Sequence, residues 1–280
     1  MTDRSLTEII DGMIQADQIR LPVLKEVAEH VLASLAQEEM VSSTLSSLAG
    51  RDPALVSELF RSANSSFFQG LPKTRLLNEA IARLGIEKCC TILEGCCQTA
   101  LTFQSSPLLE DYLPKLWQHA MGCACGAQWL AVRCGYQAIG DQAYLAGLLH
   151  DIGKLFMLAA LQQISRDDID SVNLSPQIVS EVIEAMHTGQ GQRLVTDWNL
   201  PEFIGEVVSD HHDQAEMAQN MTLALVNLAN KGCHKIGLGL LHLPDMVLPT
   251  TAEAQFLGVD EIALAEFEIM LEDRFLNTGS

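Results

Sequence analysis

One stretch constrains this chain more than any other: Tyr144-Leu145-Ala146-Gly147-Leu148-Leu149-His150-Asp151-Ile152-Gly153-Lys154, where a His-Asp pair closes an apolar run. Burying the leucines carries the imidazole and the carboxylate inward with them, and buried polar groups need partners. Two arrangements supply them. Either the pair is a half-buried His beside an Asp at a helix end, or a nitrogen and a carboxylate oxygen meet at one divalent metal from which the leucines exclude water.

The rest of the sequence is punctuated for helices. Leu6, Ile9, Ile10, Met13 and Ile14 recur at helical spacing within residues 1–20. Pro22 opens a helix striped by Leu24, Val27, Ala28, Val31, Leu32 and Leu35, with His30 at its surface. Asp52-Pro53 is a cap followed by a first-turn proline, and Leu55, Leu59, Phe60 and Ala63 follow on one face. Helices are expected over 78–85 and from Glu87 to about Phe103, with a break at Ser105-Ser106-Pro107. Beyond it, a helix from Tyr112 carries Trp117, His119, Cys123, Ala127 and Leu130 as far as a turn at Gly135. Residues 165–175, with Asp167, Asp168 and Asp170, read as a solvated loop that lacks the glycine and terminal Glu of a calcium loop. Helices follow from Pro176 through Met186, from Met221 to Lys231, and as one acidic amphipathic helix from about Ala252 to Leu276. No alternating run of strand length occurs. The expectation is an all-α fold of two packed helical subdomains, arranged as an N-terminal helix (1–20), a first helical half (21–105), a second half (106–242) and a C-terminal extension (243–280).

Composition narrows the functional classes. With 36 acidic against 17 basic residues, the net charge of −19 repels phosphate backbones and anionic lipid, so neither nucleic acid nor a membrane is an expected partner. The first residues hold no apolar run of a signal peptide, and no later segment reads as a membrane span, which makes a cytoplasmic protein the expectation. The eight cysteines lie mostly in apolar helical patterns and read as reduced core residues. His119, Cys123 and Cys125 could form a soft site, but cysteines two apart on a helix diverge, which favours the core reading.

The string Gly147-Leu148-Leu149-His150-Asp151-Ile152-Gly153-Lys154 resembles the signature of the HD superfamily of metal-dependent phosphohydrolases. Leu21-Pro22, Asp52-Pro53-Ala54-Leu55, Arg61-Ser62-Ala63-Asn64-Ser65, and Ala80-Ile81 with Leu84-Gly85 are similar to the N-terminal half of the HDOD family, a relative found in bacterial signalling. The two resemblances run from about residue 20 to about 240 and imply an HD-like second half. They also imply metal ligands at His119, His150 and Asp151 and at a downstream aspartate whose place is taken by Asn230. A neutral amide withholds the charge a carboxylate gives a cation. His187, His211 and His212, with Gly189, Gly191 and Trp198, resemble both the HDOD pattern and the extended ligand set of HD-GYP phosphodiesterases, yet the naming Gly-Tyr-Pro triplet is missing. These histidines read either as further ligands or as a polar core network. Lys154 reads either as a phosphate contact or as a helix-end lysine favoured by the dipole.

The resulting expectation is a non-catalytic HDOD-type regulatory module with a degenerate metal site and no obligatory cofactor, acting through a protein partner or small effector. An active phosphohydrolase using manganese, iron or a similar divalent metal is the alternative, in which the metal activates water. A metal or redox sensor is the third possibility.

Overall fold

Side-chain caps mark where six of the fourteen described α-helices begin. A computed structural model describes residues 6–15, 19–37, 40–102, 106–166, 175–212 and 220–277, and no strand occurs among them. The helices are α1 (Leu6–Gln15), α2 (Lys25–Gln37), α3 (Ser42–Ala49), α4 (Pro53–Ala63), α5 (Leu77–Leu84), α6 (Ile86–Thr102), α7 (Pro107–Arg133), α8 (Gly140–Leu149), α9 (Ile152–Arg166), α10 (Pro176–Asp197), α11 (Glu202–Asp210), α12 (Met221–Ile236), α13 (Ala252–Leu257) and α14 (Glu261–Phe275). The fold is all-α, as expected. Asp52, Ser106, Ser175, Asn220, Thr251 and Asp260 each accept a hydrogen bond from a first-turn amide of the helix they precede.

Several boundaries differ from the sequence reading. The Ser106-Pro107 break is a helix start, because the Ser106 hydroxyl caps Leu109 N at 3.2 Å and proline suits the first position. Helix α10 continues through Gly189 and Gly191 to Asp197 instead of ending near Met186, and α12 runs on to Ile236. The C-terminal helix is two helices, parted at Gly258, which takes a left-handed φ of 65°. Asp167, Asp168 and Asp170 lie outside the described residues.

Helices α2 to α6 pack together around α6, and α7 to α12 pack around α7 and α8. One buried core runs through both groups. Trp117 Nε1 donates to the Arg51 carbonyl at 2.9 Å and the Tyr144 hydroxyl to the Gly50 carbonyl at 2.8 Å, tying the two groups together. Helix α1 joins the second group directly: Asp11 pairs with Arg193 and accepts from Gln190 on α10, and Ile10 is fully buried. Contrary to the sequence reading, the segment Gln137–Arg166 is long and apolar enough to cross a membrane. However, 94% of its most apolar window is buried inside the protein, which marks it as core.

Asp52 connects local capping to stability. Its carboxylate accepts from Ala54 N (2.8 Å), Leu55 N (3.4 Å) and Leu24 N (3.2 Å) while only 1% exposed. Burial outweighs these three donors and pushes its pKa up to about 7 from 3.8. A group protonated more readily in the folded than in the unfolded state stabilises the fold fully below pH 3.8, and that contribution is lost as pH rises through 7. Asp52→Asn keeps an acceptor oxygen without the charge, so it should gain on the natural protein by roughly 4 kcal/mol between pH 4 and 7.5. Urea denaturation across this range checks it, and a gap that does not change with pH would refute it.

Candidate metal centre

The site forms where the apolar run meets three other helices. Helix α8 ends at Leu149, His150 and Asp151 make the turn, and Ile152 restarts the chain as α9. Two glycines of the run permit this. A Cβ on Gly147 would stand 2.6 Å from the Cys123 carbonyl oxygen of α7, and one on Gly153 would overlap the His187 carbonyl oxygen of α10. The backbones of α8 and α9 therefore lie almost against those of α7 and α10, which brings His119, His150, Asp151 and His187 into one buried cluster.

Asp151 is its centre. Oδ2 lies 3.6 Å from His119 Nε2 and 3.3 Å from His150 Nε2, while Oδ1 lies 3.6 Å from His187 Nε2 and 3.4 Å from His211 Nε2. His212 Nε2 approaches His187 Nε2 at 3.0 Å. Each of the four inner imidazoles turns its other nitrogen to a backbone carbonyl: His119 Nδ1 to Leu238 (3.0 Å), His150 Nδ1 to Gly147 (2.8 Å), His187 Nδ1 to Glu184 (2.9 Å) and His211 Nδ1 to Val208 (3.1 Å). A carbonyl only accepts, so each Nδ1 carries a proton, and Nε2 is the nitrogen that each ring turns toward the carboxylate.

An unprotonated Nε2 facing a carboxylate across 3.3–3.6 Å repels it unless a cation lies between them. His150 Nε2, His211 Nε2 and Asp151 Oδ1 are buried and have no hydrogen-bond partner. Atoms bound about 2.0–2.2 Å from one metal at tetrahedral angles stand roughly 3.4 Å apart, close to the spacing here, and a carbonyl on each Nδ1 is the usual support of a ligating histidine. The donor set thus fits a divalent metal on either side of Asp151: His119, His150 and Oδ2 on one side, His187, His211 and Oδ1 on the other, where His212 groups with the two histidines.

Electrostatics favour the charged carboxylate. Burial raises the pKa of Asp151, but Lys154 and His150 outweigh it and hold the group well below the usual carboxylate range. Burial, with a smaller contribution from His150, drives His119 well below its ordinary pKa and keeps it neutral. Lys154 Nζ sits 2.9 Å from Asp151 Oδ2 and 3.6 Å from Glu184. Burial works against its charge, and the two carboxylates more than compensate, so its pKa is raised. The sequence reading of Lys154 as a helix-end lysine is corrected: it lies in the first turn of α9, where the dipole disfavours a cation, and the ion pair holds it.

Asn230 is 7% exposed on α12, and its Oδ1 makes no hydrogen bond. One helical turn on, His234 stacks on His119 with ring centroids 5.0 Å apart, a neighbour the sequence reading missed. Burial lowers the pKa of His234 to about 4. For Cys123 the sequence reading preferred the core over a soft site shared with His119 and Cys125. Cys123 is fully buried, but its Sγ lies 3.6 Å from His119 Nε2 and 3.7 Å from Cys233 Sγ. The signal available was its i,i+4 spacing from His119. Cys125 points elsewhere, into the field of Arg274.

Known proteins share this architecture. The MmoQ response regulator of Methylococcus capsulatus str. Bath superposes with a TM-score of 0.66 at 18% identity, over 88% of this chain and 97% of that one. A virulence factor of Campylobacter jejuni subsp. jejuni does so with a TM-score of 0.63 at 12% identity, over 99% of this chain and 100% of that one. An uncharacterized protein of Treponema pallidum (strain Nichols) is 28% identical over 204 residues, which are 71% of this chain but 39% of that relative's length. The family match ends before α12, so Asn230 and His234 lie beyond it. It covers residues 21–214, including the first helical group, the second as far as α11 and the His-Asp pair, and the chain belongs to the HDOD domain family.

Proposed function

We propose that this chain is a non-catalytic signalling module whose His-Asp cluster holds a divalent metal as a structural or regulatory element. The observation that carries this reading is burial. His119, His150, Asp151, Lys154, His187 and His211 are each less than 10% exposed, and two clefts of the molecule, one beside Trp117 and one beside Trp198, are lined by none of them. A phosphodiester needs a concave site in which to lie beside the metal, and the low exposure of these six side chains argues against one. When bound, a metal would supply charge to Asp151 and, given a substrate, could activate water. The chain's own part is to hold the imidazoles in one tautomer and keep water out. Lys154, already paired inside the protein, is not free to meet a phosphate.

Effector binding is better supported elsewhere. A cleft of about 1290 Å³ between the two helical groups is lined by Trp117, Tyr144, Arg51, Lys115 and Arg274, and none of these three cations pairs with a carboxylate among the described residues. In an acidic chain that combination suits a small anionic effector with a planar ring. The fold of a response regulator at 18% identity is consistent with a place in signalling, where a protein partner would read the bound state.

Metal analysis of protein purified without chelators tests the reading, with hydrolysis of a generic phosphodiester measured alongside in manganese. Bound divalent metal and no turnover above a His150→Ala, Asp151→Ala double variant are expected. Turnover that disappears in the double variant would make the protein a phosphohydrolase.

A further inference from the structure

Of the two halves of the metal centre, the one facing His119 is short of negative charge. Its carboxylate oxygen, Asp151 Oδ2, is shared with the Lys154 ammonium at 2.9 Å, and α12 carries the neutral Asn230. We infer that Cys123 supplies the missing charge as a thiolate ligand beside His119 and His150, giving a two-imidazole, one-thiolate site that selects zinc or iron(II) over manganese. This inference rests on the metal-centre reading above.

The placement is specific. The ligand atoms of His119, Cys123 and His150 all lie within 4.8 Å of one another. Cys123 Sγ stands 3.6 Å from His119 Nε2. A sulfur about 2.3 Å and a nitrogen about 2.1 Å from one metal at a tetrahedral angle are separated by roughly 3.6 Å, so neither side chain has to move. His150 Nε2, fully buried and without a hydrogen-bond partner, aims into the same space. Helix α7 produces the pair by itself, because residues four apart share a face, and Gly147 lets α8 come close enough to add His150 and Asp151. On binding, the thiol gives its proton to solvent, one sulfur-metal bond forms, and no electron changes hands. A thiolate is a soft donor, which is why the position should prefer zinc, iron(II) or cobalt(II) to the harder manganese.

Cobalt(II) reports ligands through its spectrum. Cobalt added to the natural protein should give weak visible ligand-field bands together with an intense near-ultraviolet sulfur-to-cobalt charge-transfer band. Cys123→Ser should lose the intense band and keep the weak ones, whereas Cys125→Ser should keep both. Ligand-field bands without the charge-transfer band in the natural protein would overturn the thiolate ligand and leave the metal centre standing. No cobalt spectrum at all would remove the metal centre itself. A charge-transfer band that survives in Cys123→Ser and vanishes in Cys233→Ser would also overturn the assignment. If Cys123→Ser does not fold, X-ray absorption of the natural protein loaded with zinc decides: a sulfur neighbour at about 2.3 Å is expected, and a shell of nitrogen and oxygen alone refutes it.

Discussion

Gly153→Ala is expected to be the most damaging single methyl in the molecule, destabilising the fold by about 3 kcal/mol or more. The added carbon would overlap the His187 carbonyl oxygen and lie 3.0 Å from Gly191 N, and both are helical backbone atoms of α10 that cannot rotate aside. Helix α10 must then retreat from α9. It packs against α11 as well, so His187, His211 and His212 would leave their positions around Asp151 Oδ1 together. The matched control is two residues from Gly191. Gly189 on α10 has open space at its Cβ position, so Gly189→Ala should be neutral or stabilising by about 0.5–1 kcal/mol, the ordinary gain from removing a helical glycine. Urea denaturation of the two variants, with zinc stoichiometry measured on each, makes the comparison. Equal stability of the two would show that the α9–α10 approach does not depend on this glycine.

The second large effect concerns Lys154, the one cation built into the centre. Removing its ammonium from beside Asp151 leaves a buried carboxylate facing imidazole lone pairs, and breaking a buried ion pair on one side typically costs about 3–5 kcal/mol. Lys154→Met should therefore be severely destabilised in a chelator. The same change removes the competitor for Oδ2, so metal should bind at least about tenfold more tightly and return most of the lost stability by mass action. Denaturant titrations with chelator and with saturating zinc separate the contributions. A loss that is the same in both conditions would mean that metal and ammonium do not compete for this carboxylate.

How far the sequence reaches is best seen residue by residue. The Asp52-Pro53 cap, the Gly135 turn and the apolar stripes of α2 and α4 depend on neighbours a few positions away, and the local rules for helices describe them. The Ser106-Pro107 pair shows the limit of such rules, since proline is compatible both with ending a helix and with opening one. In the centre, His150 and Asp151 stand out because they are adjacent, and His119, His187, His211 and His212 entered only through family resemblance. His234 entered by neither route, and Cys123 was weighed as a soft ligand and set aside as core. Cysteine in an apolar helix looks like any small core residue until its distance to another helix is known.

What the sequence determined alone is the helical class, about half of the helix starts, the acidic charge and the presence of a His-Asp pair inside an apolar run, because each follows from local periodicity or from a count. Tertiary structure alone decided what those residues face. Gly147 and Gly153 are required by the backbones of α7 and α10, and Lys154 is held in part by Glu184 of α10. Each of these is a distance between helices, some far apart in the chain, fixed by how closely two backbones can pack, and no local pattern carries that information.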